Sequence, residues 1–134
     1  MSASYRDLRV WQESMRLVIN IYAATQGFPK PETYGLMGQM RRAAVSVPSN
    51  IAEGKGRLTD RDRAHFFSQA RGSLLELETQ ILIARELRYL PPDESKSLLQ
   101  DSAQIGRMLN ALVGSIRPKF DKSTPYPKIG ESDG

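Results

Sequence analysis

Four stretches of this chain repeat apolar residues every three or four positions, and proline or glycine closes each one. That period is the mark of a helix burying one face, and no stretch shows the apolar–polar alternation of a half-buried strand. In the first stretch Leu8, Trp11, Met15, Val18, Ile19 and Tyr22 follow Ser4-Tyr5-Arg6-Asp7, which has the pattern of a capping box. The stop is expected near Thr25, before Gly27, Pro29 and Pro31. The second opens between Glu32 and Gly35 and carries Leu36, Met40, Ala43, Val47 and Ile51 on one face. Gly54 and Gly56 should end it, since glycine takes the left-handed conformation that closes helices.

Thr59-Asp60-Arg61-Asp62 repeats the capping pattern and opens the longest stretch, from Phe66 through Leu74 and Ile81 to Leu90. Pro91-Pro92 stops it, and proline in a first turn suits the start of the fourth helix. That helix carries Leu98, Ile105, Leu109, Leu112 and Ile116 and should end at Pro118. Short connections between four helices predict an all-α, antiparallel up-down four-helix bundle over residues 1–117. Residues 118–134 lack periodicity and read as a disordered C-terminal tail.

A chain of 134 residues fits one domain. It has no cysteine, which excludes disulfides, thiolate metal sites and a cysteine nucleophile and suits a cytoplasmic protein. Charges at Arg6, Asp7, Arg9, Glu13 and Arg16 interrupt any signal-peptide core, and no window is apolar enough to span a membrane. The net charge of +4 is concentrated in residues 41–71, where seven basic residues face Glu53, Asp60 and Asp62. These are Arg41, Arg42, Lys55, Arg57, Arg61, Arg63 and Arg71, the candidate nucleic-acid-binding set. Within the same stretch Pro48 interrupts a helical pattern, removing one amide donor and forcing a kink or a restart. Ser46, Ser49 and Asn50 stand ready to satisfy the freed backbone. The kink either aims the flanking cations at a shared surface or bends the helix to fit a subunit interface.

The third helix is too apolar for a single seam. Phe66 with Leu74 and Ile81, and Phe67 with Leu75 and Leu82, define neighbouring stripes, and Gly72 beside Ser73 permits close approach of another backbone. Phe66, Phe67, Gly72, Leu75 and Leu82 are therefore the candidate oligomer interface.

Catalytic patterns fail on inspection. Gly54-Lys55-Gly56 lacks the spacing of a phosphate-binding loop, with Ser49 where glycine is needed and Gly56 where Ser or Thr is needed. His65 is the only histidine, and Glu76 and Glu78 face different sides of a helix. No catalytic residue, metal ligand or cofactor is expected.

Three motifs occur in order: Asp7-Leu8-x-Val10-Trp11-Gln12, the run from Arg42 through Pro48 to Gly54, and Gly72-Ser73-Leu74-x-Glu76-Leu77-Glu78-x-Gln80. On these the chain, from residue 5 to about 117, resembles the four-helix bundle proteins encoded in intervening sequences of bacterial 23S rRNA genes. That so-called S23 family also includes the accessory variability proteins of diversity-generating retroelements. The resemblance implies a homopentameric barrel. In the retroelement branch it also implies a basic surface engaging nucleic acid and a reverse transcriptase. The expected function is a non-catalytic homo-oligomer that binds structured RNA or DNA through its basic surface. The alternative is an assembly module with an acidic protein partner. Neither a membrane nor a small-molecule substrate is expected.

Overall fold

The computed structural model describes residues 4–123, with side chains for residues 4–116. Four helices and two 3₁₀ turns account for nearly all of it: α1 (Arg9–Thr25), α2 (Leu36–Lys55), α3 (Asp60–Glu86) and α4 (Pro92–Ser123). Among the described residues there is no strand. Each helix packs on its sequence neighbours, and α4 closes the ring onto α1. Among the described residues the backbones of α1 and α3, and of α2 and α4, do not come close, so these pairs lie across the diagonals. The core is filled by Leu17 and Ile21, Met40, Val47 and Ile51, Leu74, Leu77 and Ile81, and Ile105 and Leu109.

The capping signals are real, but several act differently from the sequence reading. Ser4 and Asp7 do form a reciprocal capping box, around the 3₁₀ turn Tyr5–Asp7. Extended Leu8 then separates that turn from α1. Thr59 Oγ1 accepts from the Asp62 amide at 3.1 Å and caps α3. A second 3₁₀ turn, Lys30–Tyr34, precedes α2, whose start is capped from Glu32.

Two helix ends differ from expectation, and a third, that of α2 at its C-cap Gly56, falls where expected but by another geometry. Gly54 and Gly56 do not take the left-handed conformation, which among the described residues is adopted by no glycine. Gly54 is instead buried inside α2, where a Cβ would stand 2.7 Å from the Phe67 ring. It is glycine so that α2 and α3 can meet closely. The third helix stops at Glu86, four residues short of Leu90. There the Tyr89 amide donates to the Ala84 carbonyl at 2.9 Å and the Arg88 amide to the Arg85 carbonyl at 3.0 Å. This is a Schellman closure, with Arg88 at φ 62° in the place usually held by glycine. The fourth helix runs past Pro118 to Ser123, since a proline removes one donor without obliging a helix to end. Of the expected disordered tail, residues 124–134 lie outside the described residues.

Pro48 does not break α2, which is one helix from Leu36 to Lys55. Around it Ser49 Oγ donates to the Val45 carbonyl at 2.8 Å and Asn50 Nδ2 to the Ser46 carbonyl at 2.9 Å. These serve the carbonyls next to Ala44, whose own partner the proline removes. Ser46 Oγ bonds Ser73 Oγ across the α2–α3 seam at 2.8 Å.

Candidate nucleic-acid interface

Antiparallel packing sends the start of the chain, the connection between α2 and α3 and the later turns of α4 to one end of the bundle. There Lys55, Arg57 and Arg63 line a depression of about 620 Å³, together with Tyr5 from the first 3₁₀ turn and Leu112 and Ile116 from α4. Lys55 is the last residue of α2, Arg57 follows in the turn, and Arg63 lies one helical turn into α3. Arg61 is exposed on the same end but away from the depression.

Two of these cations already have acids at hand. An Arg57 terminal nitrogen meets Glu53 Oε2 at 2.6 Å, and Arg63 meets Asp60 Oδ1 at 3.0 Å. The Arg57 guanidinium also lies 4.5 Å from the Phe66 ring centre. Both ion pairs are partly exposed, and pairs in contact with solvent contribute little and exchange readily for another anion. Between Arg57 and the α3 cap stands Leu58, 92% exposed.

The other three members of the basic set are placed elsewhere. Arg41 reaches back to α1: its Nε donates to Thr25 Oγ1 at 2.9 Å and a terminal nitrogen donates to the Tyr22 carbonyl at 3.1 Å. The same guanidinium sits 4.4 Å over the Tyr22 ring. Its donors are spent on the last turn of α1, where carbonyls lack helical partners. Arg42 is exposed on the outer face of α2, about 20 Å along the helix from Lys55. Arg71 is two residues from Ser73, about 200° round α3, and so points away from the α2 seam. The sequence set therefore resolves into a cluster of four at one end, with Arg42 and Arg71 apart and Arg41 structural.

The expected interface set divides as well. Phe67 is 2% exposed and belongs to the core of its own subunit. It lines up with Leu74 and Ile81 because steps of seven return to nearly the same helix face, whereas the eight-residue step from Phe66 to Leu74 misses by about 80°. Phe66 is half-buried under Arg57, while Gly72, Leu75 and Leu82 are exposed. Ile83 adds to this outward apolar surface of α3, and Leu87 is exposed just past its end. A second such face went unrecognised: Trp11, Met15, Ile19 and Tyr22 form one stripe along α1, and Ile19 is 64% exposed. Trp11 and Met15 border an apolar groove completed by Val45 and Pro48 of α2. Its signal was the regular spacing of these four residues, which marks an apolar face of α1 without dividing core from surface.

Among the described residues no group of three or more His, Asp or Glu side chains could hold a metal ion. None of the described helices is long and apolar enough to cross a membrane.

No curated protein sequence is similar to this chain. Among solved structures, it is similar to a protein of unknown function from the S23 ribosomal protein family of Bacteroides thetaiotaomicron. The TM-score is 0.73 at 18% identity, covering 78% of this chain and 95% of that one, a likeness that speaks to the fold. The profile of the 23S rRNA-intervening sequence proteins matches residues 6–111. With three ordered motifs, four helices in the same arrangement and a profile spanning most of the sequence, this chain belongs to the 23S rRNA-intervening sequence protein family.

Proposed function

We propose that the protein is a non-catalytic cytoplasmic homo-oligomer, a pentamer as the family resemblance implies, that binds structured nucleic acid through the basic end of its bundle. The observation that carries this reading is the convergence of Lys55, Arg57, Arg61 and Arg63 at one end, from a turn and two helix termini. Clustered cations bind phosphate by releasing counterions, and a ring of subunits would repeat the cluster on one rim. Opposed to it are Asp60 and Asp62, which the N-terminus of α3 stabilises and which dilute the field.

The assembly part rests on the two outward apolar faces, one on α1 and α2 and the other on α3. A different partner is favoured by one feature. Leu58 stands almost fully exposed among the cations, as an apolar anchor for an acidic protein surface such as that of a reverse transcriptase.

Fluorescence anisotropy with labelled structured RNA and duplex DNA tests the reading, using wild type and a Lys55→Glu/Arg61→Glu variant whose assembly state is unchanged by light scattering. Arg41 stays intact because it ties α1 to α2. The expected result is binding that falls steeply between low and physiological salt and is lost in the variant. Absence of binding at low salt would overturn the nucleic-acid reading and leave the protein partner.

A further inference from the structure

The depression at the basic end is more than a charged surface, because cationic and apolar side chains line it together. Lys55, Arg57 and Arg63 supply the charge, and Leu58, Leu112 and Ile116 contribute apolar surface. A volume of about 620 Å³ lies within the range of sites that hold small organic ligands. Walls come from the start of the chain, the α2–α3 turn and α4, so a ligand is embraced on three sides.

Arg57 supplies a separate observation. Its Nε is buried and has no hydrogen-bond partner among the described residues, although a terminal nitrogen of the same side chain holds Glu53. A buried donor left unpaired is costly, so the Arg57 guanidinium is not fully satisfied where it stands. Lys55 has no ion-pair or hydrogen-bond partner among the described residues either. The site thus combines an Arg57 guanidinium with one unsatisfied nitrogen, a Lys55 ammonium without a partner among the described residues, and an Arg63 paired with the partly exposed Asp60.

From this we infer that the depression is a binding site for a nucleoside 5′-phosphate, either free or at the end of a nucleic-acid strand. A terminal phosphate carries close to two negative charges and three acceptor oxygens, against one charge for an internal diester. That matches three converging cations, and the apolar residues of the lining accept the base or sugar. A site walled on three sides suits the end of a strand better than a strand running through. The inference deepens the nucleic-acid reading and, in its strand-end form, rests on it.

The test measures binding of the full chain to one single-stranded oligonucleotide carrying either a 5′-phosphate or a 5′-hydroxyl, and to adenosine 5′-monophosphate. Two variants accompany it: Lys55→Ala at the site and Arg42→Ala about 20 Å away. The expected result is about tenfold tighter binding of the phosphorylated strand. Lys55→Ala should abolish that ratio and Arg42→Ala should leave it intact. A second site variant, Arg63→Gln, serves if circular dichroism shows Lys55→Ala to be misfolded. Equal binding of the two strands overturns the site while leaving general nucleic-acid binding in place. Binding of the mononucleotide alone, lost in Lys55→Ala, supports the site with a free nucleotide as its source and counts against its strand-end form. No binding of any of the three overturns the site and leaves the structured nucleic-acid reading to the anisotropy test above.

Discussion

Arg41 and Arg42 are neighbours in sequence but stand about 100° apart round α2, and that angle gives them different environments. Arg42 faces solvent, while Arg41 faces α1 and forks onto Thr25 Oγ1 and the Tyr22 carbonyl with the Tyr22 ring beneath it. Hydrogen bonds from a charged donor typically contribute more than neutral ones, and here two of them close the end of a helix. Arg41→Ala should therefore destabilise the protein by about 1–2 kcal/mol, read from urea unfolding, while leaving nucleic-acid affinity nearly unchanged. Arg42→Ala should leave stability within about 0.5 kcal/mol, as expected for an exposed residue. Equal losses of stability in the two variants would refute the distinction. The sequence could not separate these arginines, because charge and adjacency look the same whichever face each residue occupies. Only the phase of the helix against α1 decides it.

At the scale of elements, the four helices were legible because their apolar period is strong, and their ends were less so. Leu90 looked like the last turn of α3 because nothing in Leu87-Arg88-Tyr89 marks a closure that glycine usually marks. Gly54 looked like a stop, yet its role is contact with Phe67, which depends on a distant segment. Distance also hid the tie at the other end of the bundle. Glu32 Oε1 accepts from the Leu36 amide at 2.9 Å, and Oε2 accepts from the Tyr89 hydroxyl at 2.9 Å. One carboxylate thus caps α2 and fastens the turn between α3 and α4, beside the packed Phe28 and Tyr89 rings. The Leu36 amide first, and then the Tyr89 hydroxyl, hold the Glu32 carboxyl below its usual 4.5. With a lower value in the folded state, the unfolded chain binds the proton more readily. The tie therefore stabilises fully above about pH 4.5 and is lost as pH falls through the folded value. Glu32→Gln should be less stable than wild type at pH 7, and the gap in thermal midpoint should close as pH drops below 4.5. A gap that stays constant down to pH 3 would mean that the charge of Glu32 has no part in the tie.

For the whole molecule, the question is what covers the two apolar faces. Since α1 and α3 lie across a diagonal of the bundle, the stripe around Ile19 and the stripe around Leu75 sit on different sides. The sequence showed the α3 face as an excess of apolar residues but did not set the α1 stripe apart from the core, because a period of 3.6 marks a buried face without saying which molecule buries it. If the two faces join copies head to tail, the contact is heterologous, and it closes into a ring or grows into a filament according to the rotation between subunits. If each face pairs with itself, the contacts are isologous. Single charged substitutions separate these cases. Ile19→Glu spoils one face and Leu75→Glu the other, so each variant alone should be monomeric by light scattering in the head-to-tail arrangement. Each retains the face that the other lacks, so an equimolar mixture contains one intact pairing and should yield a dimer that grows no further. In the isologous arrangement, each variant alone should already dimerise through its untouched face, and mixing should add nothing. The dimer that appears only on mixing is the outcome expected here, because a closed ring such as the proposed pentamer requires different surfaces to meet at every joint.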